Sequence, residues 1–232
     1  MSRYKHLFFD LDHTLWDFEA NSKKTWSILF KNNQLDEIIT TDFDAFYASY
    51  SAHNHKLWQR YHHGYITQEQ LRYKRMWHTF LDFKFHNEAL ANQLSDEYLD
   101  ILPLQDEVFD YTYEIIEYLQ AKDYKLHLIT NGFEKVQRRK LVNCGLDKSF
   151  EAIVTSEAAM ALKPKKEIFE YALKAAGANL NESIMLGDNL DADIKGAMNV
   201  EMDTVFVNHI KAKTDLKPTY IIQHLKELED IF

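Results

Sequence analysis

The chain has 232 residues, a net charge of −9 and a hydrophobic fraction of 46%, which suits one large core, or a core with a smaller satellite domain, and excludes a disordered chain. The acidic balance argues against a nucleic-acid polymer as partner, because duplex binding draws on clustered Lys and Arg, so any anionic substrate has to be met locally. The single Cys144 rules out an internal disulfide, and no apolar run has the length of a membrane span or the pattern of a signal peptide. The expectation is a cytoplasmic protein.

Tyr4-Lys5-His6-Leu7-Phe8-Phe9 reads as a buried strand, and it runs at once into Asp10-Leu11-Asp12-His13-Thr14. In open α/β sheets ligands bind at the carboxyl ends of the strands, so two carboxylates one residue apart at that edge read as an active site. Asp and Thr are also favoured in an ordinary turn after a strand, and these residues alone do not separate the two readings. From Trp16 to Leu102 the chain is rich in aromatics, carries one glycine and no proline, and has no β-branched strand pattern, so it reads as all helix. Trp26, Leu29 and Phe30 fall on one helical face, and Tyr73, Trp77, Phe80 and Leu81 form a second stripe; helix packing accounts for both. Gly64 ends one helix, and Thr67 with Gln70 is a capping box opening the next.

After Pro103 the pattern alternates. Val108, Phe109, Thr112, Ile115, Ile116 and Leu119 trace an amphipathic helix, and strands are expected at 125–130, 152–155, 183–186 and 204–207. Helices between them close at Gly145 and Gly177. Repeated βα order implies a parallel sheet with right-handed crossovers and helices on both faces. The fold class is therefore α/β, a doubly wound Rossmann-like parallel sheet with an inserted all-helical domain. The core comprises 1–17 and 101–232, and the insertion 18–100.

Parallel strands bring their carboxyl ends to one edge, and these ends carry Thr130-Asn131-Gly132 and Gly187-Asp188-Asn189, with Asp191 and Asp193 following and Lys163-Pro164 on another loop. Three carboxylates within about 4 Å repel by roughly 4 kcal/mol per pair at an effective dielectric near 20, so the cluster calls for a cation. Hard oxygen donors without Cys or His favour Mg²⁺. Thr130 and Asn131 offer donors to a phosphate, and Lys163 offers positive charge. One Asp of the first pair suits a metal ligand and nucleophile, and the other a general acid, which together describe a phosphatase or phosphotransferase.

The set Asp10-x-Asp12-x-Thr14, Thr130-Asn131-Gly132, Lys163-Pro164 and Gly187-Asp188-x4-Asp193 resembles the four ordered motifs of the haloacid dehalogenase superfamily, and the resemblance covers essentially the whole chain. It implies that Asp10 is the nucleophile and Asp12 the acid/base, and that Thr130 and Lys163 hold the phosphoryl group. It further implies that Asp10, the Asp12 backbone carbonyl and Asp188 ligate Mg²⁺, with Asp193 orienting a metal-bound water or Lys163. The insertion looks like the cap that one branch of the superfamily places there, and Asp12 points to phosphate esters rather than haloacids.

Leu57-Trp58-x2-Tyr61-x2-Gly64-x-Ile66-Thr67, Ile129 to Phe133 and Ile168-Phe169-x-Tyr171-Ala172-Leu173 look like the bacterial nucleotidases that remove the 5′ phosphate from pyrimidine nucleoside monophosphates, noncanonical ones included. A nucleoside monophosphate would then be the small-molecule partner of a monomer or homodimer, with neither membrane nor nucleic-acid polymer. Trp16 and Phe18 would offer a face to the base, although packing at the hinge accounts for them equally. Met160 departs from the small residue that many relatives carry before the lysine loop. Sugar-phosphate or phosphoglycolate-type phosphatases and phosphomutases remain as alternatives, and more remotely a phospho-Asp regulatory domain without turnover. His53, His55, His62 and His63 read as a polar helix face, and Cys144 as a buried structural thiol.

Overall fold

Six strands, β1 (His6–Phe9), β2 (Lys125–Thr130), β3 (Ala152–Thr155), β4 (Ser183–Gly187), β5 (Asp203–Val207) and β6 (Tyr220–Ile222), form one sheet in the order β3-β2-β1-β4-β5-β6. Every neighbouring pair is parallel. The computed structural model describes residues 3–232. β1 is central, with Phe8 in register with His127 on one side and Met185 on the other. A central parallel strand is covered on both faces, which is why 6–9 are apolar without alternation and all four residues are buried. Phe8, Ile129, Val154 and Met185 form one face of this core, packed with Ile168, Phe169 and Ala172 of the helix Lys166–Ala176.

The chain divides into two units, Met1–Phe18 with Asp106–Phe232, and Glu19–Gln105. Around the sheet, the first unit carries α6 (Thr112–Ala121), α7 (Glu134–Asn143), α8 (Ser156–Ala159), α9 (Lys166–Ala176) and α10 (Gly196–Met198). α6 starts later than its apolar pattern suggests. Val108 bridges Trp16, and the Phe109 N–H donates to the Leu15 carbonyl at 2.9 Å, so this stretch is held as a short ladder and the helix begins only at Thr112. The helix expected directly after β4 is a π-helical turn, Leu190–Lys195, leading into the three residues of α10.

The second unit is helical: α1 (Phe18–Asn32), α2 (Leu35–Ile39), α3 (Phe43–His62), α4 (Gln68–Asp82) and α5 (Glu88–Ile101), followed by a 3₁₀ turn at Leu102–Leu104. Trp26 is its centre, with ring centroids 4.5 Å from Tyr50 and 5.0 Å from Tyr98. The capping box of Thr67 and Gln70 forms as expected. The inward face of α4 differs from the expected stripe: Leu71, Arg75, Met76, Thr79 and Phe80 are buried, whereas Tyr73 and Trp77 are half-buried and Leu81 is exposed. Arg75 accounts for the rotation, because it donates to Asn54 of α3 at 3.1 Å and lies 5.4 Å from the Tyr98 ring. His53 bonds Asp82 at 2.8 Å, so the histidine-rich face includes an acidic partner from α4. Among the described residues, no helix is long and apolar enough to cross a membrane.

The sheet interior holds a histidine pair. His6 Nδ1 and His127 Nε2 are 3.0 Å apart, and the Phe8 ring lies 4.7 Å from His127. Burial first, then the nearby His6 and Lys125, pulls His127 down to about 4 from its ordinary value of 6.5. A base with a lowered folded pKa takes up a proton on unfolding, so its contribution is fully present above pH 6.5 and is lost as pH falls toward 4. The melting temperature is expected to decline over that window, and His127→Gln to flatten the decline; identical slopes in parent and variant would contradict this.

Candidate active site

β1 ends at Phe9, and the ladder continues for one more bond, the Asp10 N–H donating to the Leu186 carbonyl at 2.8 Å. The next residues turn tightly: the N–H groups of Leu15 and Trp16 both donate to the Leu11 carbonyl, and His13 adopts φ 62°. This short loop fixes the backbone from which both acids project.

Asp10 is buried beside Lys163, which is 2% exposed. The Lys163 ammonium lies 2.7 Å from Asp10 Oδ1, 2.7 Å from Asp193 Oδ1 and 2.6 Å from the Ile129 carbonyl. Its contact with Asp193 is poorly aligned for a hydrogen bond, so this pairing is one of charge rather than direction. Burial works against the Lys163 charge, but Asp10 and Asp193 outweigh it and hold the ammonium above its usual pKa. Asp188 follows β4 and accepts from the Thr14 hydroxyl at 3.2 Å. Asp193 reaches back from the π-helical turn, its Oδ2 accepting from the Asn189 N–H at 3.0 Å. A Cβ at Gly187 would collide with the Asp193 carboxylate, so glycine is required for this approach.

Asp10, Asp188 and Asp193 each bring a carboxylate oxygen within 4.8 Å of the others. Burial, moderated by Lys163 and reinforced by Asp193 and Asp12, pushes Asp10 up to about 7. Burial with the Asp193 and Asp10 charges holds Asp188 well above the carboxylate range. One lysine thus leaves the cluster short of positive charge, and this all-oxygen donor set fits a hard divalent cation. Both oxygens of Asp193 are engaged, by Lys163 and by the Asn189 N–H, whereas Asp10 and Asp188 each retain an oxygen without a hydrogen bond among the described residues.

Thr130 sits at the end of β2, its Oγ1 accepting from the Gly132 N–H at 3.0 Å and from Gln137 Nε2 at 2.7 Å. With both lone pairs taken, the hydroxyl proton is left to donate elsewhere. Asn131 is placed differently from the expectation of a phosphate donor. Its Oδ1 accepts from the Lys163 N–H at 2.8 Å and its Nδ2 donates to the Lys163 carbonyl at 2.9 Å, so it clamps the lysine loop.

Trp16 and Phe18 present no open face. Trp16 is fully buried, its ring 4.1 Å from the Lys140 ammonium and 6.3 Å from Phe18. Met160 caps α8 at φ 50°, with its side chain exposed. Cys144 is buried, and burial raises its thiol pKa, which suits a structural thiol.

Two residues escaped the sequence reading, Gln137 and Lys140 on α7. Gln137 Nε2 donates to Asp12 Oδ2 at 2.9 Å, and Lys140 Nζ to Asp12 Oδ1 at 2.5 Å. The available signal was their phase: they share the buried stripe of α7 with Val136 and Leu141, where a core-facing helix ordinarily places apolar side chains.

A model of haloacid dehalogenase-like hydrolases matches residues 4–200. The pyrimidine 5′-nucleotidase PynA of Streptococcus pneumoniae is 30% identical, covering 98% of this chain and 94% of its own. The glyceraldehyde 3-phosphate phosphatase of Pyrococcus furiosus is also 30% identical, over 100% and 94%. The crystal structure of the HAD-hydrolase YfnB from Bacillus subtilis, bound to magnesium, superposes with a TM-score of 0.90 at 28% identity and covers 99% of both chains. Strand order, acid cluster, family model and full-length relatives agree: the chain is a hydrolase of the haloacid dehalogenase-like family.

Proposed function

We propose that the chain is a Mg²⁺-dependent phosphate monoester hydrolase that works through phosphorylation of Asp10 and acts on pyrimidine nucleoside 5′-monophosphates. The observation that carries the reading is the carboxylate cluster of Asp10, Asp188 and Asp193, with the buried Lys163 paired to Asp10 and Asp193 and Asp12 two residues from Asp10 on the same loop. The Asp10 carboxylate attacks phosphorus as the bond to the leaving oxygen breaks, and Asp12 gives that oxygen a proton. Water then attacks the phosphorus of the acyl phosphate, its proton passing to Asp12, and Asp10 is regenerated with release of phosphate. Lys163 neutralises charge beside Asp10, and the Thr130 hydroxyl donates to the phosphoryl group.

The Asp10 and Asp188 carboxylates and the Asp12 backbone carbonyl would hold Mg²⁺, with Asp193 as the outer partner that fixes Lys163. When bound, the ion supplies the positive charge that the acid cluster lacks.

The 30% identity to a full-length relative named a pyrimidine 5′-nucleotidase supports nucleotides as substrates. The equal identity to a glyceraldehyde 3-phosphate phosphatase favours triose or sugar phosphates as the second reading. Phosphate release measured with Mg²⁺ on 5′-nucleoside monophosphates, sugar phosphates and phosphoglycolate separates the two. A preference in kcat/KM of at least about tenfold for UMP- or dTMP-like esters, ~1.4 kcal/mol of discrimination, is expected. EDTA should stop release and added Mg²⁺ restore it. A preference for sugar phosphates would overturn the nucleotide assignment, and activity indifferent to chelation the metal assignment.

A further inference from the structure

We propose that Lys140, together with Gln137, is a positioning residue that fixes the Asp12 carboxylate for proton transfer. The inference rests on the reading of Asp12 as the group that moves protons in the proposed reaction.

Lys140 is 2% exposed and Gln137 1%, and they stand three positions apart on one face of α7. Each takes a different oxygen of Asp12, Lys140 the Oδ1 at 2.5 Å and Gln137 the Oδ2 at 2.9 Å. Two donors from one rigid helix turn leave the carboxylate a single side-chain orientation. Burying an ammonium forfeits its hydration, and leucine or methionine would fill the same helical position without that loss. The compensation in this pocket is specific: Asp12 supplies the counter-charge, and the Trp16 ring lies 4.1 Å from Nζ. A buried lysine whose one carboxylate partner among the described residues is Asp12 is built to hold that group.

Gln137 extends the device to the phosphate side of the site. The same Nε2 that holds Asp12 also donates to Thr130 Oγ1 at 2.7 Å, so one amide sets both the carboxylate and the hydroxyl. A Cβ on Gly132 would overlap the Gln137 side chain, so glycine here is what lets the amide sit between them. Misplacing a catalytic group by about 1 Å costs on the order of 10²-fold in rate.

The test compares two esters across three variants, Lys140→Met, Gln137→Leu and Asp12→Asn. One ester is p-nitrophenyl phosphate, whose phenolate departs without a proton. The other is the best alkyl phosphate of the substrate panel, whose alkoxide needs one. Lys140→Met is expected to lose about 10–100-fold in kcat/KM on the alkyl phosphate and less than about threefold on p-nitrophenyl phosphate. Asp12→Asn should shift the ratio the same way, and Gln137→Leu should do so more weakly, carrying the test if Lys140→Met fails to fold. Equal losses on both esters would mark Lys140 as merely structural and overturn the proposal. If Asp12→Asn shifts the ratio and neither α7 variant does, the proposal falls and the acid/base reading stands. If Asp12→Asn also leaves the ratio unchanged, the acid/base reading falls and the inference with it.

Discussion

Replacing Asp10 with asparagine is expected to reduce phosphate release by at least about 10⁴-fold, ~5.5 kcal/mol of transition-state stabilisation, while the fold persists. The amide has nearly the shape of the carboxylate but is a poor nucleophile, so the loss should fall on kcat rather than on folding. Stability supplies an independent check. With the Lys163 charge already counted, the surroundings still push Asp10 up to about 7 from an ordinary 3.8, so the ionised group is net unfavourable in the folded cation-free protein. The folded state therefore binds this proton more tightly than the unfolded one, and the penalty grows as pH rises from about 4 through 7. At pH 8 without metal, the Asp10→Asn protein should melt no lower than the parent. A variant with near-parental turnover would remove Asp10 from the chemistry.

Lys163→Met is expected to be the most destabilising single change in the site, by about 3–5 kcal/mol in the absence of a divalent cation. The lysine is buried between Asp10 and Asp193 and also donates to the Ile129 carbonyl. Its removal leaves Asp10, Asp188 and Asp193 together with no cation between them. Chemical denaturation of parent and variant, with EDTA and then with Mg²⁺, reads the effect directly. Mg²⁺ should restore part of the variant's stability but none of its turnover, because the charge that Lys163 sets beside Asp10 is missing. A variant within about 1 kcal/mol of the parent in EDTA would show that the acid cluster does not depend on this charge.

The acid edge was legible in the sequence because it follows from topology. Once β1, β2 and β4 are recognised as parallel strands, Asp10, Thr130 and Asp188 have to meet at their carboxyl ends, whatever the details of the intervening helices. What remained hidden lies in side-chain direction. Asn131 sits in the expected place yet turns to the Lys163 backbone, and Trp16 emerges from the acid loop yet lies beneath Lys140. Gln137 and Lys140 stand 125 and 128 residues from Asp12, beyond the reach of any local spacing rule. Periodicity misled at α4, where a charged Arg75 turns inward with aromatic and amide partners, and at Val108, whose backbone pairs with Trp16 in a β-bridge. In each case a tertiary partner overrode the pattern of the segment.

The most direct test of the account is an acid quench of the reaction with p-nitrophenyl phosphate labelled at phosphorus, whose leaving group needs no proton, in the parent and in Asp12→Asn, where breakdown of the acyl phosphate is slowed. An acid-stable, hydroxylamine-labile label on the peptide carrying Asp10, stronger in Asp12→Asn and absent in Asp10→Asn, is the predicted result. Phosphate release with no protein-bound label at any reaction time in either protein, or label on a different residue, would contradict it.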